Sequence, residues 1–127
     1  MGILIVDDDN DLRDMLRLAL QSEGYQTTCA ANGREALTVL RGPSARPCLV
    51  LLDIMMPVMN GWDVLEVIAR ERALCDIPVV VMSGHLRDRR ERERASRSPA
   101  MFLEKPISLA KLLSVVGQFC SQAPEME

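Results

Sequence analysis

The stretch Leu49 to Pro57, LVLLDIMMP, decides the fold. Its apolar run has no polar residue on either alternating face, so as a strand it must be covered on both sides, the condition of a strand inside a parallel sheet. The run stops abruptly at one carboxylate, Asp53. In open α/β sheets ligands bind at the carboxyl ends of the strands, so an acid placed there is a site candidate. Taken alone, Asp53 is an ordinary cap or turn aspartate. The rest of the chain argues for more.

Outward from this stretch the same pattern recurs. Ile3 to Val6 is a short apolar strand that stops at Asp7, Asp8 and Asp9. Asn10 is expected to cap a helix with Leu12, Met15, Leu16, Ala19 and Leu20 on one face and Gly24 as its stop. Tyr25 to Ala30, rich in Tyr, Thr and Cys, reads as a strand nearer the sheet edge. A short helix over Arg34 to Leu40 closes at Gly42-Pro43. Beyond the central strand, Pro57 to Gly61 is a loop, and the following helix should bury Val64, Leu65 and Ile68 with Ala69 alongside. Ile77 to Met82 is another apolar strand, ending at Ser83-Gly84. Met101 to Leu103 is the last strand, ending at Glu104-Lys105-Pro106, and Ser108 caps a final helix carrying Leu109, Leu112, Leu113 and Val116. This alternation predicts an α/β, three-layer doubly wound (βα)5 domain over residues 1–120 with right-handed crossovers. Residues 121–127 read as a polar tail.

The 127 residues suffice for one domain, and with 48% apolar but only four aromatic residues the core must be Leu, Val, Ile, Met and Ala. A net charge of −3 gives no general case for nucleic acid or an anionic membrane as partner. No apolar run approaches the roughly 20 residues of a membrane span and no signal peptide precedes the first strand, so a cytoplasmic protein is expected. Cys29, Cys48, Cys75 and Cys120 form no CxxC pair. They are expected to be reduced, mostly buried thiols rather than a zinc site or a redox dithiol. Leu86 to Arg97 carries six arginines against three acids and few apolar residues; it is expected to be a loosely attached helix.

Four apolar strands thus present Asp7 and Asp8, Asp53, Ser83 and Lys105 on one edge of one sheet. Each singly is a cap or a solvated side chain, but clustered carboxylates repel unless positive charge lies among them. Magnesium, a hard cation that takes carboxylate and phosphate oxygens, suits the set, with manganese as the alternative. Asp8 and Asp53 would be direct ligands, Asp7 direct or through water, and the Met55 carbonyl would complete the protein's share. A carboxylate so placed is also a nucleophile toward phosphorus. Lys105 would pair with the phosphoryl charge and Ser83 would donate a hydrogen bond to it.

The motifs ILIVDDD (Ile3 to Asp9), LLDIMMPVMNG (Leu51 to Gly61), VVMSG (Val80 to Gly84) and FLEKP (Phe102 to Pro106), in this order and spacing, resemble the response-regulator receiver domains of two-component signalling. The resemblance implies a flavodoxin-like five-stranded parallel sheet in the order 2-1-3-4-5. It implies Asp53 as phosphoacceptor, Asp7 and Asp8 as the acidic metal-binding pair, and Lys105 as the phosphate-contacting lysine. Ser83 and Phe102 become the switch residues and Lys105-Pro106 a cis peptide. Met55 and His85 match positions flanking the water that hydrolyses the acyl phosphate, and so would tune its lifetime. The implied partners are a sensor histidine kinase or phosphotransfer protein upstream. A protein target would be met downstream through the Leu86 to Arg97 helix, the last strand and the last helix. Such a domain catalyses its own phosphorylation and dephosphorylation, with no turnover of an external substrate. Two departures fall on that output surface: Ser98-Pro99-Ala100 replaces the family's Gly-Ala turn, and the charged helix is poor in apolar residues.

A haloacid-dehalogenase-like phosphatase would want a second Asp where Met55 stands. A flavin-binding module would not place three acids after the first strand. A phosphorylation-independent pseudo-receiver, acting only as a binding module, is the remaining alternative. It usually lacks a key acid or the lysine, and none is missing here.

Overall fold

In the computed structural model, which describes residues 2–43, 46–56, 58–84, 93 and 101–120, β1 (Ile3–Val6), β2 (Thr27–Ala30), β3 (Leu49–Asp53), β4 (Val79–Ser83) and β5 (Met101–Glu104) form one sheet. All neighbours are parallel and the order is β2-β1-β3-β4-β5, as expected. Four helices are described: α1 (Asn10–Ser22), α2 (Gly33–Arg41), α3 (Gly61–Arg70) and α4 (Leu109–Phe119). Of the expected helix over residues 86–97 only Glu93, which is helical, is among the described residues; the rest of that segment, the turn at 98–100, His85 and the tail 121–127 lie outside them. No helix among those described is long and apolar enough to cross a membrane.

The period of two along each strand sorts the unbroken apolar runs into two cores. Leu4, Val6, Val50, Leu52 and Val81 join Ala36, Leu37 and Leu40 of α2 and Trp62, Val64 and Ile68 of α3. Ile3, Ile5, Leu49, Leu51, Val80 and Met82 join Leu16 and Leu20 of α1 and Leu112, Val115 and Val116 of α4. Three layers follow, with β1, β3 and β4 wholly buried between helices.

Local chemistry corrects several details. Asp9, not Asn10, caps α1, its carboxylate accepting from the Asp11 and Leu12 amides at 3.0 and 3.2 Å. Asn10 instead accepts a hydrogen bond from the Arg13 guanidinium. β2 begins at Thr27 because the Tyr25 amide turns back to the Leu20 carbonyl at the end of α1. Trp62 and Val115 are buried where Ala69 and Leu109 were expected, the latter two being exposed. Ser108 caps α4 as expected.

The cysteine expectation fails at two positions. Cys48 and Cys120 form a disulfide across a sequence separation of 72. Cys29 is half-buried and Cys75 exposed. Pairing depends on the β3 start and the α4 end meeting in space, which spacing alone does not reveal.

Candidate functional site

The parallel register brings the strand ends level: Val6 lies beside Leu52, Asp53 beside Met82 and Ser83 beside Glu104. Polar residues that follow the apolar runs therefore meet on one edge. Asp7, Asp53 and Ser83 are the buried polar or charged residues among those described, at 0%, 3% and 6% exposure. Asp8 is exposed, and its carboxylate oxygens can come with those of Asp7 and Asp53 within 4.8 Å of one another.

Lys105 reaches into this cluster from the end of β5. Its ammonium lies 3.2 Å from Asp7 Oδ2 and 3.5 Å from Asp53 Oδ1. Its amide donates to the Ser83 carbonyl at 2.7 Å, fixing the backbone from which the side chain extends, and Lys105-Pro106 is cis as expected. Asp7 Oδ1 accepts from the Asp9 amide at 2.9 Å, and Asp53 Oδ1 from the Met55 amide at 3.2 Å. Arg13 donates to the Asp7 carbonyl at 2.6 Å.

These surroundings pull Asp53 in opposite directions. Burial and the Asp7 charge push its carboxyl up to about 6, against the Lys105 charge and the Met55 amide. Burial works against the Lys105 ammonium, but Asp53 and Asp7 outweigh it and hold the lysine above its usual range. The result is a carboxylate kept ionised at neutral pH by one ammonium and still short of positive charge. A donor set of three carboxylates around such a deficit fits a hard divalent cation.

α3 is packed tightly against the Asp53 backbone. A Cβ on Gly61 would stand 2.6 Å from the Asp53 carbonyl oxygen, so only glycine lets the helix start there. Asn60 caps that helix through the Asp63 amide. The Met55 side chain is 69% exposed. Phe102 is half-buried, its ring centroid 6.1 Å from that of Trp62. Sequence reasoning missed Arg13 and Trp62. The only signals were a base one turn after the acids and an aromatic immediately after the loop glycine.

Comparison with known proteins agrees with this geometry. The family model described as response regulator receiver domain matches residues 3–117. The "Uncharacterized 14.6 kDa protein in sodA1 3'region" of Leptolyngbya boryana is 38% identical over 98% of this chain and 93% of its own length. The DNA-binding response regulator MtrA of Mycobacterium tuberculosis H37Rv is 46% identical over 65% of the chain, which spans only 34% of that protein. Among solved structures, the receiver domain of a signal transduction histidine kinase from Syntrophus aciditrophicus superposes with a TM-score of 0.85 at 33% identity, covering 100% of this chain and 96% of that one. A response regulator receiver protein from Pseudomonas putida gives 0.84 at 30% identity, covering 91% and 94%. With its fold, strand order and matched motifs in accord, the chain belongs to the response regulator receiver domains of two-component signalling.

Proposed function

We propose that the chain takes a phosphoryl group from the phosphohistidine of a sensor histidine kinase or phosphotransfer protein onto Asp53, in a cytoplasmic setting. The observation that carries this is the Lys105 ammonium shared between buried Asp7 and Asp53, with Asp8 beside them. An Asp53 oxygen attacks phosphorus, the phosphorus–nitrogen bond breaks, and the imidazole leaves and takes a proton from water. Asp7 keeps Lys105 aimed at the site, and Lys105 is free to exchange its contact with Asp53 for one with the phosphoryl oxygens. Ser83, buried at the end of β4, stands ready as a hydroxyl donor, and Phe102 follows its movement. Asp8, Asp53 and the Met55 carbonyl, with Asp7 directly or through water, would hold magnesium, which would supply positive charge to the phosphoryl oxygens. The exposed Met55 side chain obstructs hydrolytic water, and His85 is the second residue proposed to set the lifetime. The rearranged surface around β5 and α4 would then engage a protein target.

Intact-mass measurement with a small acyl phosphate and magnesium tests this reading. Wild type should gain one phosphoryl group, Asp53→Asn none, and Asp8→Asn should need roughly tenfold more magnesium for the same labelling. Equal labelling of wild type and Asp53→Asn refutes the assignment and leaves the pseudo-receiver.

A further inference from the structure

At the amino-terminal edge of the sheet, a second site lies outside the acid cluster. Cys48 immediately precedes β3, whose last residue is Asp53, so the two edges are separated by the length of that strand, roughly 16 Å. Cys120 ends α4, whose first turn begins close after Lys105. The last helix therefore runs from the acid site back to the disulfide.

What holds this helix is sparse in directional contacts. Among the described residues no hydrogen bond or ion pair joins α4 to another element. Among the described residues its attachment is the apolar burial of Leu112, Val115 and Val116 and the Cys48–Cys120 bond. The two residues differ in exposure, since Cys120 is 5% exposed and Cys48 is half-buried. The Gly2 carbonyl oxygen is 3.5 Å from Cys48 Sγ. A disulfide sulfur has no proton to give it, whereas a reduced Cys48 thiol would find an acceptor already in place.

We propose that Cys48 and Cys120 form a reversible thiol–disulfide site that sets how firmly the last helix is held, giving the domain a redox input separate from phosphorylation. The thiolate of a small thiol, of the glutathione class, attacks the sulfur of Cys48, the less buried of the two residues. The Cys48–Cys120 bond breaks, and Cys120 leaves as a thiolate that takes up a proton. A second thiolate attacks the mixed disulfide, frees Cys48 as a thiol and departs as the small-molecule disulfide. Two electrons pass to the protein, and the reverse sequence closes the clamp. Reduction removes the one covalent tie of α4 and leaves it, among the described residues, to apolar contact, so it opens locally more often.

The full chain equilibrated in glutathione buffers stepped from oxidised to reduced tests this, with alkylation and peptide mapping of Cys48 and Cys120 and hydrogen exchange in α4. The bond should open within the series, and amide protection at the Cys120 end of α4 should fall roughly tenfold as it does. Cys120→Ser should show the lower protection in every buffer; should that variant not fold, reduction of the wild type supplies the same readout. A bond that stays closed throughout is a permanent cross-link, and one that stays open is no bond. Either result, or opening without a change in α4 protection, overturns the proposal. None of these readouts depends on Asp53 accepting a phosphoryl group.

Discussion

At the carboxyl ends of the strands, Asp7, Asp53 and Lys105 keep charge inside the protein. At the amino ends of the same strands, Cys48 and Cys120 close the structure with a neutral bond. One edge has two buried carboxylates sharing one ammonium, so its energy depends on pH and on whatever cation or phosphoryl group arrives. The other ties distant segments together whatever the charge state. In the proposed function the first edge responds to a phosphoryl group, while the bond at the second ties the residue before β3 to the end of α4. The two edges should therefore be separable by pH.

The largest effect is expected at the neutral edge. Cys48→Ser removes a cross-link across 72 residues, which in the chain-entropy view costs about 4 kcal/mol. The serine hydroxyl can use the Gly2 carbonyl, so little is lost to an unsatisfied group. Denaturant unfolding without reductant should show the same loss at pH 5 and pH 7.5. A loss that tracks pH would mean that the two edges are coupled.

Lys105→Met comes next. Removing the ammonium leaves Asp7 and Asp53 facing each other at pH 7.5, at a cost of about 2 kcal/mol, discounted for the partial exposure of the lysine. At pH 5 Asp53 takes a proton instead, and the cost should shrink to less than half. Equal costs at both pH values would show that Lys105 acts through packing rather than charge.

A smaller effect of opposite sign belongs to Asp53→Asn in magnesium-free buffer. Folded Asp53 keeps its proton up to about pH 6, whereas the unfolded chain releases it near 3.8. Between these values the folded state binds more protons, so wild-type stability falls as pH rises through the window. Asparagine removes that slope and should stabilise the chain by about 1–2 kcal/mol at pH 7.5. Parallel melting curves against pH for the two proteins would mean that the carboxylate is not strained by its surroundings.

The two edges also differed in how far they could be read from sequence. The carboxyl edge was legible because each strand announces its end: an apolar run stops at Asp7, Asp53, Ser83 or Glu104-Lys105, and a parallel sheet brings such ends level. The strand order could be stated because the family resemblance and the polar character of β2 agreed on an edge position. The amino edge gave no such signal, since Cys48 and Cys120 are far apart in sequence and nothing in either neighbourhood marks a partner. Where helix faces were misjudged, as with Ala69 and Leu109, the apolar period allowed two adjacent stripes and packing chose the other. Asp9 displaced Asn10 as the α1 cap because three consecutive acids left the helix start ambiguous by one residue.

The smallest effect tests whether backbone strain also belongs to the charged edge. Val58, in the loop between Asp53 and α3, has φ 70°, a left-handed conformation, with its side chain 75% exposed. A β-branched residue there is held against its preference, at roughly 1–2 kcal/mol, by neighbours that fix the loop. Those neighbours are buried Met56 on one side and, on the other, Asn60 capping α3 while Gly61 donates to the Ile54 carbonyl at 2.9 Å. Val58→Gly removes the steric cost, adds back roughly 0.5–1 kcal/mol of unfolded-chain entropy, and should leave a net gain below about 1 kcal/mol. The melting temperature should rise by about 2–4 °C with Asp53 labelling unchanged. If the variant instead melts lower, the valine side chain is contributing contacts that outweigh its backbone, and the strain at this edge is confined to its charges.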